Sequence, residues 1–160
     1  MKLLVSIAAC LVMVCVVVPT QANAADYVGA GKCKMCHKKA HEKWETTKHA
    51  QAFSVLQGAD AENPECIACH ATGYPGSGPV AEEMKNVQCE ACHGPGSDYR
   101  KVMMKKKEYT TEKAVAAGMV MPTEETCKGC HNEKSPTFKP FDFAERQAEI
   151  AHTLDKPRGE

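Results

Sequence analysis

Apolar residues fall along this chain in two distinct ways. A nearly unbroken apolar run over residues 3–18 follows Lys2, stops at Pro19, and is succeeded by Ala22 and Ala24 in the small-x-small spacing that signal peptidase reads. This predicts a leader of residues 1–24, removed after Ala24, and a mature chain of residues 25–160 exported to the periplasm. The run is shorter than the roughly 20 apolar residues a membrane span requires, so no span is expected after cleavage. Ile7-Ala8-Ala9-Cys10 resembles a lipobox, but cutting there would leave residues 11–18 as an apolar stub on the mature end.

Beyond the leader the pattern is helical and interrupted. Residues 38–57 place Trp44, Ala52, Phe53 and Leu56 on one side of a predicted helix, stopped by Gly58. Asn63-Pro64 opens a turn, residues 74–79 are a loop by their Tyr-Pro-Gly-Ser-Gly-Pro composition, and Gly94-Pro95-Gly96-Ser97 ends a local turn abruptly. A short helix is expected over residues 111–117, with Gly118 as its stop. Pro136 and Pro140 predict an extended run. A last helix starts at Asp142 with Glu145 three residues on, in a capping-box pattern, and carries Phe143, Ile150 and His152. No strand is expected, so the fold class is mainly α with long loops.

The cysteines change this picture. Cys-x-x-Cys-His occurs four times, at Cys33/Cys36/His37, Cys66/Cys69/His70, Cys89/Cys92/His93 and Cys127/Cys130/His131. It is the attachment signature of c-type haem, in which the two thiols add to the haem vinyl groups and the histidine takes one axial position on the iron. Zinc ribbons also use paired thiols, but they need no histidine after each pair. With seven histidines in 160 residues, chance would place one after all four pairs on the order of a few times in a million. Cleavage after Ala24 would remove Cys10 and Cys15, so all eight remaining cysteines belong to the four signatures. Thioether bonds would then do the stapling that disulfides perform in other small exported proteins. The cofactor complement is four c-type haems, and each has roughly 34 residues of protein, far below what an independent apolar core requires. The haems are expected to form the core. The shortest gap between signatures suggests that the second and third are neighbours.

Axial ligands can be counted. His37, His70, His93 and His131 are proximal, leaving His41, His49 and His152 for four distal positions, so at least one haem lacks a second histidine. His49 lies far enough from His37 to serve another haem, and His152 can fold back from the end of the chain. His41 sits one turn after His37 on the same helix and cannot reach the opposite face of that iron, which makes it equally a surface or propionate-contacting residue. Met35, Met84, Met103, Met104, Met119 and Met121 survive cleavage; methionine in such a protein is usually packing, and Met103 and Met104, following the third attachment turn, are the pair to test as ligands.

At these residues the chain resembles the cytochrome c-554 family of tetrahaem cytochromes. The resemblance runs through YVG, CKMCH, Trp44, Thr47-Lys48-His49-Ala50, CEACHGPGS, CKGCHNEKSPTF, FDF and IAH, in order over most of the mature chain. It implies that His49 completes a later haem and His152 the fourth. The family commonly has a histidine shortly after CHGPGS that completes the first haem; this chain has Tyr99 about there. The type member also leaves its second haem without a strong sixth ligand, and it is longer.

The function expected is a periplasmic, low-potential electron carrier working between redox protein partners. The alternatives are a small reductase of a nitrogen oxide or hydroxylamine at an open haem, which would also bind a small-molecule ligand, and a subunit of an extracellular cytochrome conduit. No catalytic acid or base can be assigned, so an electron carrier is favoured over an enzyme. Basic and acidic residues balance at 20 each, which suggests no nucleic-acid partner. Lys32, Lys34, Lys38, Lys39 and Lys43 form one basic cluster, and Lys101, Lys105, Lys106 and Lys107 another; both are expected to be solvated faces near propionates.

Overall fold

Short helices joined by turns and loops make up the described residues, and side-chain caps set the starts of several of them. The computed structural model describes residues 24–105 and 108–152. The expected leader lies outside them except for Ala24, as do Lys106 and Lys107. In order, the α-helices are α1 (Ala30–Lys34), α2 (Lys38–Glu45), α3 (Pro64–His70), α4 (Cys89–His93), α5 (Tyr99–Met104), α6 (Thr111–Ala116), α7 (Glu124–Lys128) and α8 (Phe143–Ile150), with 3₁₀ turns at Lys48–Val55, Gly58–Ala61 and Glu82–Met84. Among the described residues the only β pairing is one isolated bridge, Ala71 to Lys85.

Of the side-chain caps, the sequence announces the one at Asp142; Asn63, expected to open a turn, caps a helix instead. Asn63 accepts a hydrogen bond from Glu65 N–H with Pro64 in the first helical position, and Asp142 accepts from Glu145 N–H at 2.9 Å. Thr110 caps α6, and Gly118, at φ 98°, lets Met119 N–H return to Ala114 O at 3.0 Å.

Three local expectations are corrected. The helix predicted over residues 38–57 breaks after Glu45. The hydroxyls of Thr46 and Thr47 each donate 2.7 Å bonds to the carbonyls of Lys43 and Trp44, Thr47 turns extended, and the chain resumes as a 3₁₀ stretch. Two adjacent threonines offer the backbone a competing set of partners where helix propensity is already low. The run after His131 is turned rather than extended through Thr137, because the Asn132 amide donates to Lys128 O and Gly129 O while its Oδ1 accepts from Lys134 N–H. Helix α8 ends at Ile150, so His152 lies just past it in extended chain.

What is missing is an apolar core of protein atoms. The buried apolar side chains among the described residues are Ala30, Ala40, Ile67, Ala71, Tyr99 and Ala114, four of them alanines. Met35, Val55, Met104, Val115, Val120, Met121 and Phe138 stay exposed. A chain of this length cannot offset its conformational entropy with so little buried apolar surface, which points to a large apolar body supplied by something other than the chain.

Polar groups tie the pieces together instead. Glu90, 1% exposed, accepts hydrogen bonds from the N–H groups of Val28 (2.9 and 3.0 Å), Gly29 (2.7 Å) and Gly96 (2.7 Å). Gln88 accepts from Ala30 N–H at 2.6 Å and donates to Glu83 O and Lys85 O. Helix α4 is thereby bound to the entrance of α1 and to the loop that opens α5.

Candidate functional site

Each signature is a single turn of helix or a near-helical turn. In the first, Cys33 O accepts from Cys36 N–H at 3.1 Å and from His37 N–H at 2.9 Å; in the fourth, Cys127 O accepts from Cys130 N–H at 3.2 Å and from His131 N–H at 2.9 Å. The second lies within α3 and the third makes up α4. Residues three apart on such a turn share a face, so both thiols point the same way and the histidine follows one position later.

The turns meet one another through their thiols. The thiols of Cys33 and Cys89 lie close enough to interact, as do those of Cys130 and Cys69. Burial pushes the Cys92 thiol up, with the nearby Cys127 adding to the shift, and burial together with the Cys69 contact pushes Cys130 up to about 12. First is thus set against third, and second against fourth. The second and third signatures are close through their connecting backbone, where Gln88 N–H donates to Thr72 Oγ1 at 2.9 Å, but their thiols are not the ones paired.

Two pairs of imidazoles face each other. His49 and His131 have ring centroids 5.9 Å apart at 61°, and His93 and His152 have centroids 6.1 Å apart at 73°. A metal bonded at about 2 Å by one nitrogen of each of two opposed imidazoles sets their centroids roughly 6 Å apart. Both gaps fit one iron. His152 therefore faces the third signature and His49 the fourth, which corrects the expectation that His152 serves the fourth. The exchange follows from fold-back: Val120 N–H donates to His93 O at 2.9 Å, while Phe141 stacks on His131 at 4.7 Å.

Second-sphere bonds orient the rings. His93 Nδ1 is 3.0 Å from Val120 O, His152 Nδ1 is 3.3 Å from Ile150 O, and His70 Nδ1 is bonded to Ala52 O. A ring whose Nδ1–H is held by a carbonyl presents its Nε2 lone pair outward, the tautomer a metal takes. Burial pushes His49, His93 and His131 below the ordinary imidazole range, which keeps the rings neutral.

His41 is placed otherwise. It is buried, packs edge-on against Trp44 with centroids 5.2 Å apart, and lies 3.4 Å from Glu45 Oε2. Trp44 donates from Nε1 to Val87 O at 2.8 Å, and Val87 N–H donates to His49 O at 3.1 Å, so the indole braces the segment that carries His49.

Beside the first signature is a cleft that, with the solvent in its mouth, holds about 580 Å³ of empty space. Cys33, Cys36 and His37 line one wall; Tyr99, Arg100, Met103 and Met104, all from α5, line the other. Arg100 Nε is buried there without a hydrogen-bond partner, a donor suited to an anionic substituent such as a haem propionate. Glu90 and Gln88, which hold the two walls in register, are the residues that sequence reasoning missed. The one signal available was an acidic residue at a free position inside an attachment turn.

The family model described as "Cytochrome c554 and c-prime" matches residues 32–94. The solved reduced state of cytochrome c554 from Nitrosomonas europaea is similar in structure, with a TM-score of 0.61 and 25% identity over 85% of this chain and 83% of that one. No curated protein sequence matches the chain.

Proposed function

We propose that this chain, which matches the cytochrome c554 family model over residues 32–94 and resembles cytochrome c554 in structure, is a tetrahaem, low-potential electron carrier of the periplasm that passes electrons between redox proteins. The observation that carries this reading is the pair of facing imidazole sets, His49 with His131 and His93 with His152, each spaced for one iron.

When bound, each haem supplies an iron that cycles between ferric and ferrous. The chain supplies the rest. Cys33/Cys36, Cys66/Cys69, Cys89/Cys92 and Cys127/Cys130 would hold the four haems by thioether bonds, and His37, His70, His93 and His131 would bind their irons. Bis-imidazole ligation favours ferric iron more than histidine–methionine ligation does, which sets low potentials at the third and fourth sites. Carbonyl acceptors at Ala52, Val120 and Ile150 fix ring orientation, so little rearrangement accompanies a change of oxidation state. The thiol contacts Cys33 to Cys89 and Cys69 to Cys130 make neighbours of the first and third groups and of the second and fourth.

Electron paramagnetic resonance with a potentiometric titration tests this. His49→Ala and His152→Ala should each convert one low-spin ferric iron to high spin, the first at the fourth haem and the second at the third. A protein in which every haem titrates above about +200 mV would refute the low-potential assignment, since that range belongs to other axial sets.

One observation favours a second reading. Among the described residues His70 faces no second imidazole, so an iron held there would lack a second histidine, and a small nitrogen oxide or hydroxylamine could bind and be reduced at it. Its spectrum decides: an iron that stays low-spin and unchanged in the presence of nitric oxide or cyanide removes this reading.

A further inference from the structure

We propose that the sulfur of Met103 is the sixth ligand of the iron held by Cys33, Cys36 and His37, which makes the first haem a histidine–methionine centre beside bis-histidine neighbours. The inference rests on the reading that this signature carries a haem. It begins from scarcity. Of the three histidines outside the signatures, His49 and His152 already face His131 and His93, and His41 is packed against Trp44 on the helix that His37 itself caps. A different side chain must reach the first iron, or none does.

The cleft supplies one. Its near wall consists of the attachment turn and residues on the same local turn, Lys32 and Met35 included, which lie on the proximal side with His37. Its far wall is α5. Arg100 has no lone pair to offer a metal. Tyr99 is buried and its hydroxyl is committed to Gly94 O at 3.1 Å. Two thioethers remain. Met104 is 66% exposed, whereas Met103 is half-buried and lies four residues after Tyr99, on the helix face that Tyr99 anchors to the interior.

The walls are also held at a defined separation. Glu90 accepts from Val28 and Gly29, at the entrance of α1, and from Gly96, whose carbonyl in turn accepts from Arg100 N–H at 3.0 Å in α5. One carboxylate therefore positions both the turn that carries His37 and the helix that carries Met103.

Methionine in place of a second histidine raises the potential of a haem. The first site then lies above the bis-histidine third and fourth sites, so a reducing equivalent shared with them comes to rest there. Its near neighbour across the Cys33 to Cys89 contact is a low-potential site, so the two differ in driving force by design of their ligands.

The test is spectroscopic and uses the holoprotein. Ferric wild type should show the weak near-infrared absorption of iron bonded to methionine sulfur, in an amount corresponding to one haem per molecule. Met103→Leu should abolish that band and add one high-spin ferric signal. Met104→Leu should leave both spectra unchanged. Met103→His should restore a low-spin iron without the band and move one of the midpoint potentials downward. A wild type without the band, or a band that survives Met103→Leu, overturns the proposal. Peptide mass spectrometry separates this from failure of the underlying reading: a peptide spanning residues 33–37 without haem overturns both, and one bearing haem leaves only the ligand assignment at issue.

Discussion

Removing the Glu90 carboxylate should unpin the first and third attachment turns from each other. Glu90 is almost wholly buried and its two oxygens accept from three backbone donors at 2.7 to 3.0 Å. In Glu90→Ala these donors lose their partner. Gly29 and Gly96 are buried, so their N–H groups stay dry, while Val28 is half-buried and can be rehydrated. Each stranded buried donor costs about 1–3 kcal/mol. Relief of the carboxylate's own desolvation offsets part of the sum. The net expected loss is about 3 kcal/mol. With a guanidinium m-value of about 3 kcal/mol per M, the unfolding midpoint of the holoprotein should fall by about 1 M. Glu90→Gln keeps one acceptor oxygen but turns an NH₂ group towards a backbone donor, and about half the loss is expected. Far-ultraviolet circular dichroism across a guanidinium titration measures both, and amide exchange at Gly29 and Gly96 should accelerate in step. A loss below about 1 kcal/mol for the alanine variant would refute the role given to this residue, because it would mean that the donors find other partners.

Two further outcomes follow from local geometry. Gly73 sits at φ 66°, and a Cβ built there would come within 2.5 to 2.8 Å of the Tyr27 ring, whereas Gly58, at φ 55°, has open space around it; Gly73→Ala should cost clearly more than the ~1–2 kcal/mol of left-handed strain that Gly58→Ala pays alone, as denaturant midpoints of the two variants will show. Trp44→Phe removes the Nε1 bond to Val87 O and should cost about 1 kcal/mol, with broadening of the low-spin resonance that His49→Ala abolishes, because Val87 also holds His49.

How much of this was legible in the chain depends on the range of each interaction. The attachment turns were fully legible, since thiols three apart and a histidine one further on are a property of five consecutive residues. The cap at Asp142 was legible for the same reason, whereas Asn63 was read only as the start of a turn and Thr110 was not read as a cap. The helix over residues 38–57 was misjudged where two rules competed: its apolar spacing is helical throughout, but Thr46 and Thr47 turn their hydroxyls back onto the chain and break it. The histidine pairings were half legible. That His49 belongs to a site other than the first follows from its distance from His37, but which imidazole His49 and His152 each face is decided by how loops of 20 or more residues fold back, and no local pattern records that.

The least legible feature was also the one with most consequence. Inside Cys89-Glu90-Ala91-Cys92-His93 the two middle positions look free, because attachment chemistry makes no demand on them. The fold makes the demand instead. A carboxylate at the first of them reaches back across more than 60 residues to Val28 and Gly29, and forward to Gly96. With so few buried apolar side chains among the described residues, the chain has little else with which to hold its backbone, and a buried carboxylate with three backbone donors does that work at a single residue. The same constraint explains why scarcity of histidine need not leave the first haem open. Once Glu90 sets α5 across the cleft from His37, the chain presents a thioether at Met103 within the site's own wall, and the geometry that stabilises the fold is also the geometry that chooses the ligand.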